Sequence, residues 1–290
     1  MNATPEEAIA FLSQHFVALR IEYETKDAKG KVQPRRAAVL SGFLLELHGV
    51  TLWVTAGHSL KLIDDAIVAG KLRVRESTFL DHFNLDSKFG HGVPYRYEPG
   101  CGFYIEEKDE GLDFAMIMID GNRRKLFSAN GIVPIGRPHW ENQAGLTFDF
   151  YRMLGIPEDC IRFTKRPDGT LDTEVRQALL AVDRIGPDDV GEPPWDSPAP
   201  SDAWFVGRIH PECKIQDIKG MSGGPILGFR VSDGSMLCHC VAVQSRWWPH
   251  SRTIFGTSLP LFAEWAYRQL GTVLAEPASE QEESKGVNPA

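Results

Sequence analysis

Little in this chain of 290 residues indicates a membrane-bound, secreted or nucleic-acid-binding protein. No apolar run approaches the roughly 18 residues that a membrane-spanning helix needs. The chain has no excess of basic residues: it contains 31 Lys and Arg and 39 Asp and Glu, so its formal net charge is -8. Nucleic-acid-binding domains usually carry the opposite balance. The stretch MNATPEEAIAFLSQHFVALR has Glu6 and Glu7 where a signal peptide carries basic residues, so we expect no secretory signal. The sequence therefore predicts a soluble protein with neither a membrane nor a nucleic acid as its partner.

Cysteine is also scarce and irregularly spaced. An odd set of five does not predict a disulfide framework, and it favours a reducing compartment, the cytoplasm. The segments His210–Cys213 and Cys238–Cys240 contain residue types that bind zinc, but their spacing matches no closed zinc site. On a strand Cys238 and Cys240 share one face and His239 points away. We therefore expect small buried side chains there, with no metal and no cofactor.

What the sequence does contain is a series of short strand patterns separated by turn signals. The stretch AAVLSGFLLELHGVTLWVTAGH predicts two strands joined at His48–Gly49, and a short helix is expected after His58. A helix start at Thr4-Pro5-Glu6-Glu7 and a helical stretch over Leu261–Leu270 lie near the two ends. Residues 183–202 are rich in Pro and Asp and predict a surface loop or linker. Many short strands indicate an all-β barrel or sandwich.

Ser222 lies in the stretch KGMSGGPILG, with glycines on both sides of it. These glycines allow the backbone more conformations than a simple turn requires. One interpretation is a tight turn with a capping serine; the other is a nucleophile, which needs a base and an orienting acid. His58 follows the apolar stretch LWVTAG, and Asp113 opens the apolar stretch FAMIMI. Asp113 also has a simpler interpretation, as a turn residue that binds its own backbone. Asp109, Glu110 and Asp120 lie nearby, but only Asp113 is followed by Phe-Ala-Met-Ile.

These three stretches, in this order, resemble the trypsin and chymotrypsin-like serine peptidases, in a bacterial-type form. The resemblance covers roughly residues 16–270. It implies an all-β fold of two antiparallel six-stranded β-barrels with short N-terminal and C-terminal helices. The division we expect is a helix over 1–15, a first barrel over 16–130 with His58 and Asp113, a second barrel over 131–272 with Ser222 and the C-terminal helix, and a disordered tail over 273–290.

The resemblance also implies an activity, that of a serine endopeptidase acting on polypeptides. His58, Asp113 and Ser222 would form the catalytic triad, and the backbone N–H groups of Gly220 and Ser222 would form the oxyanion hole. Two departures from the family pattern stand out. Met221 replaces the aspartate that pairs with a newly cut N-terminus in the digestive enzymes, so we expect no activation by cleavage. Ser59 stands where secreted relatives often carry a disulfide cysteine.

Substrate preference is open at the level of the sequence. By resemblance, the pocket wall would include Gln216, Asp217, Gln244 and Arg246, in which Asp217 favours a basic substrate residue and Arg246 an acidic one. Insertions around residues 76–104 and 183–203 would shape or cover the cleft. The alternative function is a catalytically silent or partner-gated module of the same fold that binds peptides, which would add a regulatory protein to the expected partners.

Overall fold

A computed structural model describes residues 11–27, 29–81, 83, 92–107, 112–141, 143, 145–186, 189–190, 203–232 and 235–275. Most of the predicted N-terminal helix, nearly all of the tail and most of the predicted loop over 183–202 lie outside the described residues. Residues 11–13 are helical. The C-terminal helix runs through residue 275, three residues into the segment that we expected to be disordered.

The described part of the chain is built mainly from short strands, as the alternating apolar pattern predicts. The strands are β1 (Ala18–Thr25), β2 (Arg36–Leu40), β3 (Phe43–Leu47), β4 (Val50–Thr55), β5 (Leu72–Leu80), β6 (Val93–Tyr95), β7 (Phe103–Glu107), β8 (Leu112–Met118), β9 (Phe150–Gly155), β10 (Ile161–Lys165), β11 (Leu171–Val175), β12 (Ala178–Arg184), β13 (Trp204–Ile209), β14 (Pro225–Ser232), β15 (Ser235–Trp248) and β16 (Thr253–Ser258). The helices are α1 (Gly57–Val68), α2 (Gly121–Ala129) and α3 (Leu259–Ala275), with short 3-10 turns at Arg137–His139 and Glu158–Cys160.

The C-terminal half forms a closed six-stranded antiparallel barrel. Its strand order is β12-β13-β16-β15-β14-β9, and β9 pairs back onto β12. The interior is apolar, and Met153, Ile209, Ile226 and Ile254 are fully buried in one cluster. Closure leaves no unpaired edge strand, which is the usual way in which an antiparallel sheet avoids a free edge. The barrel predicted for this half is confirmed.

In the N-terminal half the described strands form two four-stranded sheets, and the second closed barrel that we predicted is not shown. Their orders are β2-β1-β5-β6 and β3-β4-β8-β7. β2 and β3 are separated only by Ser41–Gly42, where the Ser41 carbonyl accepts the Thr55 hydroxyl at 2.7 Å instead of joining a strand ladder. The chain bends there, and a single bridge between Phe16 and Phe43 links the sheets. Among the described strands, β6 and β7 lie at the ends of separate sheets and do not pair with each other.

The hairpin predicted at His48–Gly49 is confirmed, but the stretch before it forms two strands, β2 and β3, where the sequence predicted one. β3 and β4 pair in register from Phe43 with Val54 to Leu47 with Val50. The turn between them is His48–Gly49, and both residues have positive φ, 49° and 79°. That conformation suits a two-residue hairpin, because its twist matches that of the flanking strands. The helix expected after His58 is α1. The described helices are all too short or too polar to span a bilayer.

The hairpin of β10 and β11 belongs to neither half's sheets. It lies against β1, where the buried Arg20 donates from Nε to Thr173 Oγ1 at 2.7 Å and from Nη2 to the Leu171 carbonyl at 2.6 Å. The same guanidinium pairs with the fully buried Glu22 at 2.7 Å. The hairpin therefore extends from the C-terminal half and is fixed to the N-terminal half through a compensated buried charge.

Candidate active site

His58 and Asp113 are brought together by two neighbouring strands. His58 is the second residue of α1, directly after β4, and Asp113 is the second residue of β8, which pairs with β4. One oxygen of the Asp113 carboxylate lies 2.7 Å from His58 Nδ1, and the other accepts the His58 backbone N–H at 2.8 Å. The carboxylate is almost fully buried. Asp113 therefore holds both the backbone and the ring of His58, which leaves Nε2 as the outward-facing nitrogen.

The other acidic residues near Asp113 do not compete for His58. Asp120 caps α2, since its side chain accepts the backbone N–H groups of Asn122 and Arg123 at 2.9 Å. This is an ordinary N-cap role for an aspartate. Asp109 and Glu110 lie outside the described residues.

The surroundings of His58 change its basicity in two opposing directions. Burial lowers the pKa of the imidazole, but the hydrogen bond and negative charge of Asp113 outweigh burial, so the pKa of His58 is raised above its ordinary value. Glu106 adds to this rise, and Arg246 opposes it. A raised pKa makes His58 a stronger proton acceptor, which is the property that a general base needs.

Ser222 lies on the loop between β13 and β14, and the backbone N–H groups of this loop follow a regular pattern. Met221 donates to the Ile218 carbonyl at 3.0 Å, Gly223 to Gln244 at 2.7 Å and Gly224 to Met221 at 3.0 Å. The N–H groups of Gly220 and Ser222 donate to no acceptor among the described residues. Two alternate amides are thus free on either side of Met221, which is the arrangement needed to bind one oxyanion.

The direction of these free amides follows from the planarity of the peptide bond, in which C=O and N–H point opposite ways. The Lys219 carbonyl accepts the Glu158 N–H at 2.7 Å, and the Met221 carbonyl accepts the Gly224 N–H at 3.0 Å. The N–H groups of Gly220 and Ser222 therefore point away from those partners. Gly220 has φ +88°, a conformation that side chains with a Cβ rarely adopt.

A cavity of about 870 Å³ contains His58, Gly220 and Ser222 on its wall. Much of the remaining wall is apolar, and it is contributed by both halves and the β10–β11 hairpin: Leu40, Leu62, Ile161, Phe163, Ile218 and Trp247. Leu62 and Phe163 are 71% and 42% exposed, so the cavity has an apolar rim. Among the hydrogen bonds of the described residues, none joins His58 to Ser222; the two side chains share the cavity without that bond.

The four residues predicted for the substrate pocket are placed beside the cavity and are absent from its described wall. Gln216 accepts a hydrogen bond from Arg252 at 3.0 Å. Asp217 pairs with Lys219 at 3.4 Å, on the exposed surface. The residues that reach the cavity at this point are Ile218 and Lys219, one or two positions further along the chain.

On β15, too, the residues that line the cavity are next to the ones predicted from the sequence. Gln244 is buried, and its Nε2 donates to the Arg246 carbonyl at 3.1 Å. The Arg246 guanidinium lies over the ring of Trp204, 5.3 Å from its centroid. Ser245 and Trp247 face the cavity instead. The pairing between β15 and β16 has a register shift at Gln244/Arg246. Such a bulge interrupts the alternation of side chains between the two faces of a strand, so counting residues along the sequence assigns the wrong face.

Ser41 is a site residue that the sequence did not reveal. It is fully buried at the bend between β2 and β3, and its hydroxyl donates to the Gly220 carbonyl at 2.8 Å and accepts the Ile156 N–H at 2.9 Å. Nothing in its sequence context, Leu-Ser-Gly, distinguishes it from an ordinary turn serine.

The cysteine and histidine segments considered for zinc do not converge on a metal site in the described structure. No group of three or more His, Cys, Asp or Glu side chains within the described residues is placed to hold an ion. All five cysteines are free thiols. Burial raises the pKa of Cys238 to about 12, and it raises the pKa of the fully buried Cys240 well above its usual range, so both remain protonated.

Comparisons with known proteins find similarity at the level of structure only. No protein-family model matches the sequence, and no curated protein matches it. The protease Anisep from Arthrobacter nicotinovorans is similar over 85% of this chain and 90% of its own, at 16% identity and a TM-score of 0.42. The thermostable serine protease AL20 from an extremophilic microorganism is similar over 90% of this chain and 98% of its own, at 15% identity and a TM-score of 0.41. The chemistry proposed for this chain rests on its own geometry, that of His58, Asp113 and the Ser222 loop.

Proposed function

We propose that this protein is a serine endopeptidase in which Ser222 is the nucleophile, His58 the general base and Asp113 the orienting acid. One observation carries the proposal. A histidine held by a buried carboxylate lines one cavity with a serine, and the backbone N–H groups of that serine and of Gly220 have no acceptor among the described residues, although the histidine and the serine come from different halves of the chain. A structural turn requires none of these features together.

The proposed reaction has two acyl-transfer steps. Ser222 Oγ attacks the carbonyl carbon of the scissile peptide bond while His58 Nε2 takes its proton. The C–N bond then breaks, and His58 returns the proton to the leaving amine, which leaves an ester on Ser222. Water attacks the ester with His58 again as base, and the acid product and free Ser222 are released. Asp113 keeps the Nδ1 proton in place and stabilises the imidazolium that forms in each step.

The free amides of Gly220 and Ser222 would stabilise the negative charge on the carbonyl oxygen. Their contribution is made in the transition state, so it acts on kcat more than on KM. Removing one such donor typically costs about 2.7–4 kcal/mol of transition-state stabilisation.

The cavity wall supports a preference for apolar substrate residues. The charged residues that the sequence suggested for selecting an acidic or basic side chain, Asp217 and Arg246, bind other protein groups and lie off the cavity wall. The wall instead presents Leu62, Phe163 and Trp247. Apolar side chains beside the scissile bond would gain free energy by leaving water there.

A serine-reactive fluorophosphonate probe and a peptide library together test this proposal. We expect the probe to label Ser222 and the protein to cleave peptides with apolar residues beside the cut. The Ser222→Ala variant, which keeps the same backbone, should show neither. Turnover of the library by purified Ser222→Ala would overturn the proposal.

A partner-gated peptidase or silent peptide-binding module is the second candidate, and the missing hydrogen bond between Ser222 and His58 is the observation that favours it. Catalytic hydrogen bonds are often long in free enzymes and tighten when substrate binds. If wild-type protein labels only after cell lysate is added, a regulatory partner closes the site; if it binds peptides but never labels, the module is silent. For both candidates we propose a cytoplasmic setting, on the basis of the odd and irregular cysteine set.

A further inference from the structure

We propose that Ser41 is a positioning residue for the oxyanion hole, holding the Gly220 amide in place from the opposite half of the molecule. The inference rests on the proposed function, because it assigns a role in the same reaction. It adds a residue that never contacts the substrate and that acts through the backbone of the nucleophile loop.

The contacts of the Ser41 hydroxyl are all with backbone atoms of the C-terminal half. It donates to the Gly220 carbonyl at 2.8 Å and accepts the N–H of Ile156, just after β9, at 2.9 Å. Ser41 is 0% exposed, so no water can replace either bond. One side chain of the first half therefore ties two separate segments of the second half together, next to the nucleophile.

The peptide that Ser41 holds, between Gly220 and Met221, directly follows the peptide that carries the oxyanion donor, the Gly220 N–H. The Gly220 carbonyl is fixed by Ser41, and the Met221 N–H of the same peptide donates to Ile218 at 3.0 Å. The preceding peptide is fixed at the Lys219 carbonyl by the Glu158 N–H at 2.7 Å. Gly220 lies between these two anchored planes, and its free N–H has a defined direction only while both are held.

The choice of glycine at position 220 makes this anchoring necessary. Gly220 has φ +88° in the structure. Because glycine has no Cβ, its backbone could also adopt many other conformations. Without the Ser41 hydroxyl the peptide between Gly220 and Met221 loses one of its two partners. The Gly220 N–H would then spend less time directed at the cavity, and the transition state would lose part of its stabilisation.

Ser77 on β5 offers a matched control. It is also buried, at 5% exposure, and its hydroxyl also makes two backbone bonds, donating to the Tyr95 carbonyl at 2.6 Å and accepting the Tyr97 N–H at 2.8 Å. Ser77 is not on the described wall of the site cavity. Ser41→Ala and Ser77→Ala therefore remove the same kind of bonds, one pair at the oxyanion loop and one pair away from it.

The experiment compares wild type, Ser41→Ala and Ser77→Ala by thermal unfolding, by kcat and KM on one peptide, and by the affinity of a peptide aldehyde that forms a tetrahedral adduct on Ser222. We expect both variants to lose similar thermal stability. Ser41→Ala alone should lose about tenfold in kcat with nearly unchanged KM, the size of effect that one lost hydrogen bond produces. Its affinity for the aldehyde should fall by a similar factor, and its affinity for a product peptide should not change.

The possible results distinguish a failure of the role proposed for Ser41 from a failure of the proposed peptidase activity. An active wild type in which Ser41→Ala and Ser77→Ala have equal kcat and equal aldehyde affinity would overturn the role of Ser41 and leave the peptidase standing. A wild type that neither labels nor turns over would overturn both. If Ser41→Ala does not fold, Ser41→Cys keeps the volume with a weaker donor, and it should show a smaller loss of kcat in the same direction.

Discussion

The two halves of the molecule hold their parts of the site by different means. In the N-terminal half the decisive contact joins two side chains, His58 and Asp113, at the ends of paired strands. In the C-terminal half the decisive groups are backbone amides on a loop, and backbone bonds such as that between Gly223 and Gln244 orient them. The first half therefore contributes a pair of side chains that hold each other, and the second contributes the Ser222 side chain together with amides whose direction depends on backbone conformation.

The halves also differ in how they are closed. The C-terminal barrel has an apolar interior and no free edge. The N-terminal half stays open between β6 and β7 in its described part, and it buries a charged pair, Arg20 with Glu22, on β1. That pair binds the β10–β11 hairpin of the other half. The buried Arg20 of the first half thus provides the attachment point for a hairpin that extends from the second half.

The largest expected effect comes from removing one reacting group from each half. We expect Ser222→Ala and His58→Ala each to lower kcat by about 10⁵–10⁶-fold, because the two groups act as one unit. The double variant should be no slower than either single variant. Kinetics on one peptide substrate, with thermal unfolding to show an intact fold, measures this. A double variant that loses the product of the two single effects would show that the halves act independently.

The next effect isolates the side-chain contact of the first half. In Asp113→Asn the carboxylate no longer holds the Nδ1 proton, and we expect kcat to fall by about 10⁴-fold. In the wild type Asp113 raises the pKa of His58, so kcat/KM should rise with pH and reach half its plateau above the ordinary value of about 6.5. In the variant the main contribution that opposes burial is gone and only the smaller effect of Glu106 remains, so the pKa of His58 should fall and the midpoint should move to lower pH.

Asp120→Asn is the control for this experiment. Asn and Asp cap helices about equally well, so stability and the pH profile should stay close to those of the wild type. A pH midpoint that is the same in Asp113→Asn and Asp120→Asn would remove Asp113 from the site.

A third prediction addresses the backbone of the second half. A Cβ at Gly223, where φ is +93°, would lie 2.2 Å from Thr55 Oγ1 and 2.4 Å from the Ser41 carbonyl. We expect Gly223→Ala to cost about 2–5 kcal/mol of stability, from strain and overpacking together, and to lower kcat. Gly49→Ala has φ +79° but nothing within 4 Å, so it should cost only about 1–2 kcal/mol and leave kcat unchanged. Chemical denaturation and kinetics compare the two; equal costs would mean that the loop is not pressed against the bend.

The smallest effect concerns the rim of the cavity. Phe163→Ala shortens an apolar side chain of the hairpin that is already 42% exposed. We expect KM for apolar substrates to rise by about three- to tenfold with little change in kcat, since such contacts bind ground state and transition state alike. Peptides with small residues beside the cut should be affected less. Leu126, exposed on α2 and absent from the described wall, provides a Leu126→Ala control.

The sequence predicted those parts of the fold and site that depend on local pattern or on a reactive side chain. The turn at His48–Gly49 follows from a glycine between two alternating stretches. The pairing of His58 with Asp113 was expected because each lies beside an apolar strand. Those sequence signals are local, and the pairing of β4 with β8 brings the two side chains together.

What the sequence could not predict depends on long-range geometry. The division of the first half's described strands into two sheets depends on the bend at Ser41–Gly42, which has no local signature. Near Gln244, the residues that line the cavity are one position away from those that the sequence suggested, and a bulge interrupts the alternation of the strand there. The role of Ser41 depends on a partner 179 positions away.

The contact between the bend and the Ser222 loop has a consequence for how the molecule unfolds. Because Ser41 and Thr55 pack directly against Gly223, the two halves cannot separate without breaking contacts within the candidate site itself. The protein should therefore melt as one cooperative unit in calorimetry, and loss of turnover on heating should coincide with loss of structure instead of preceding it.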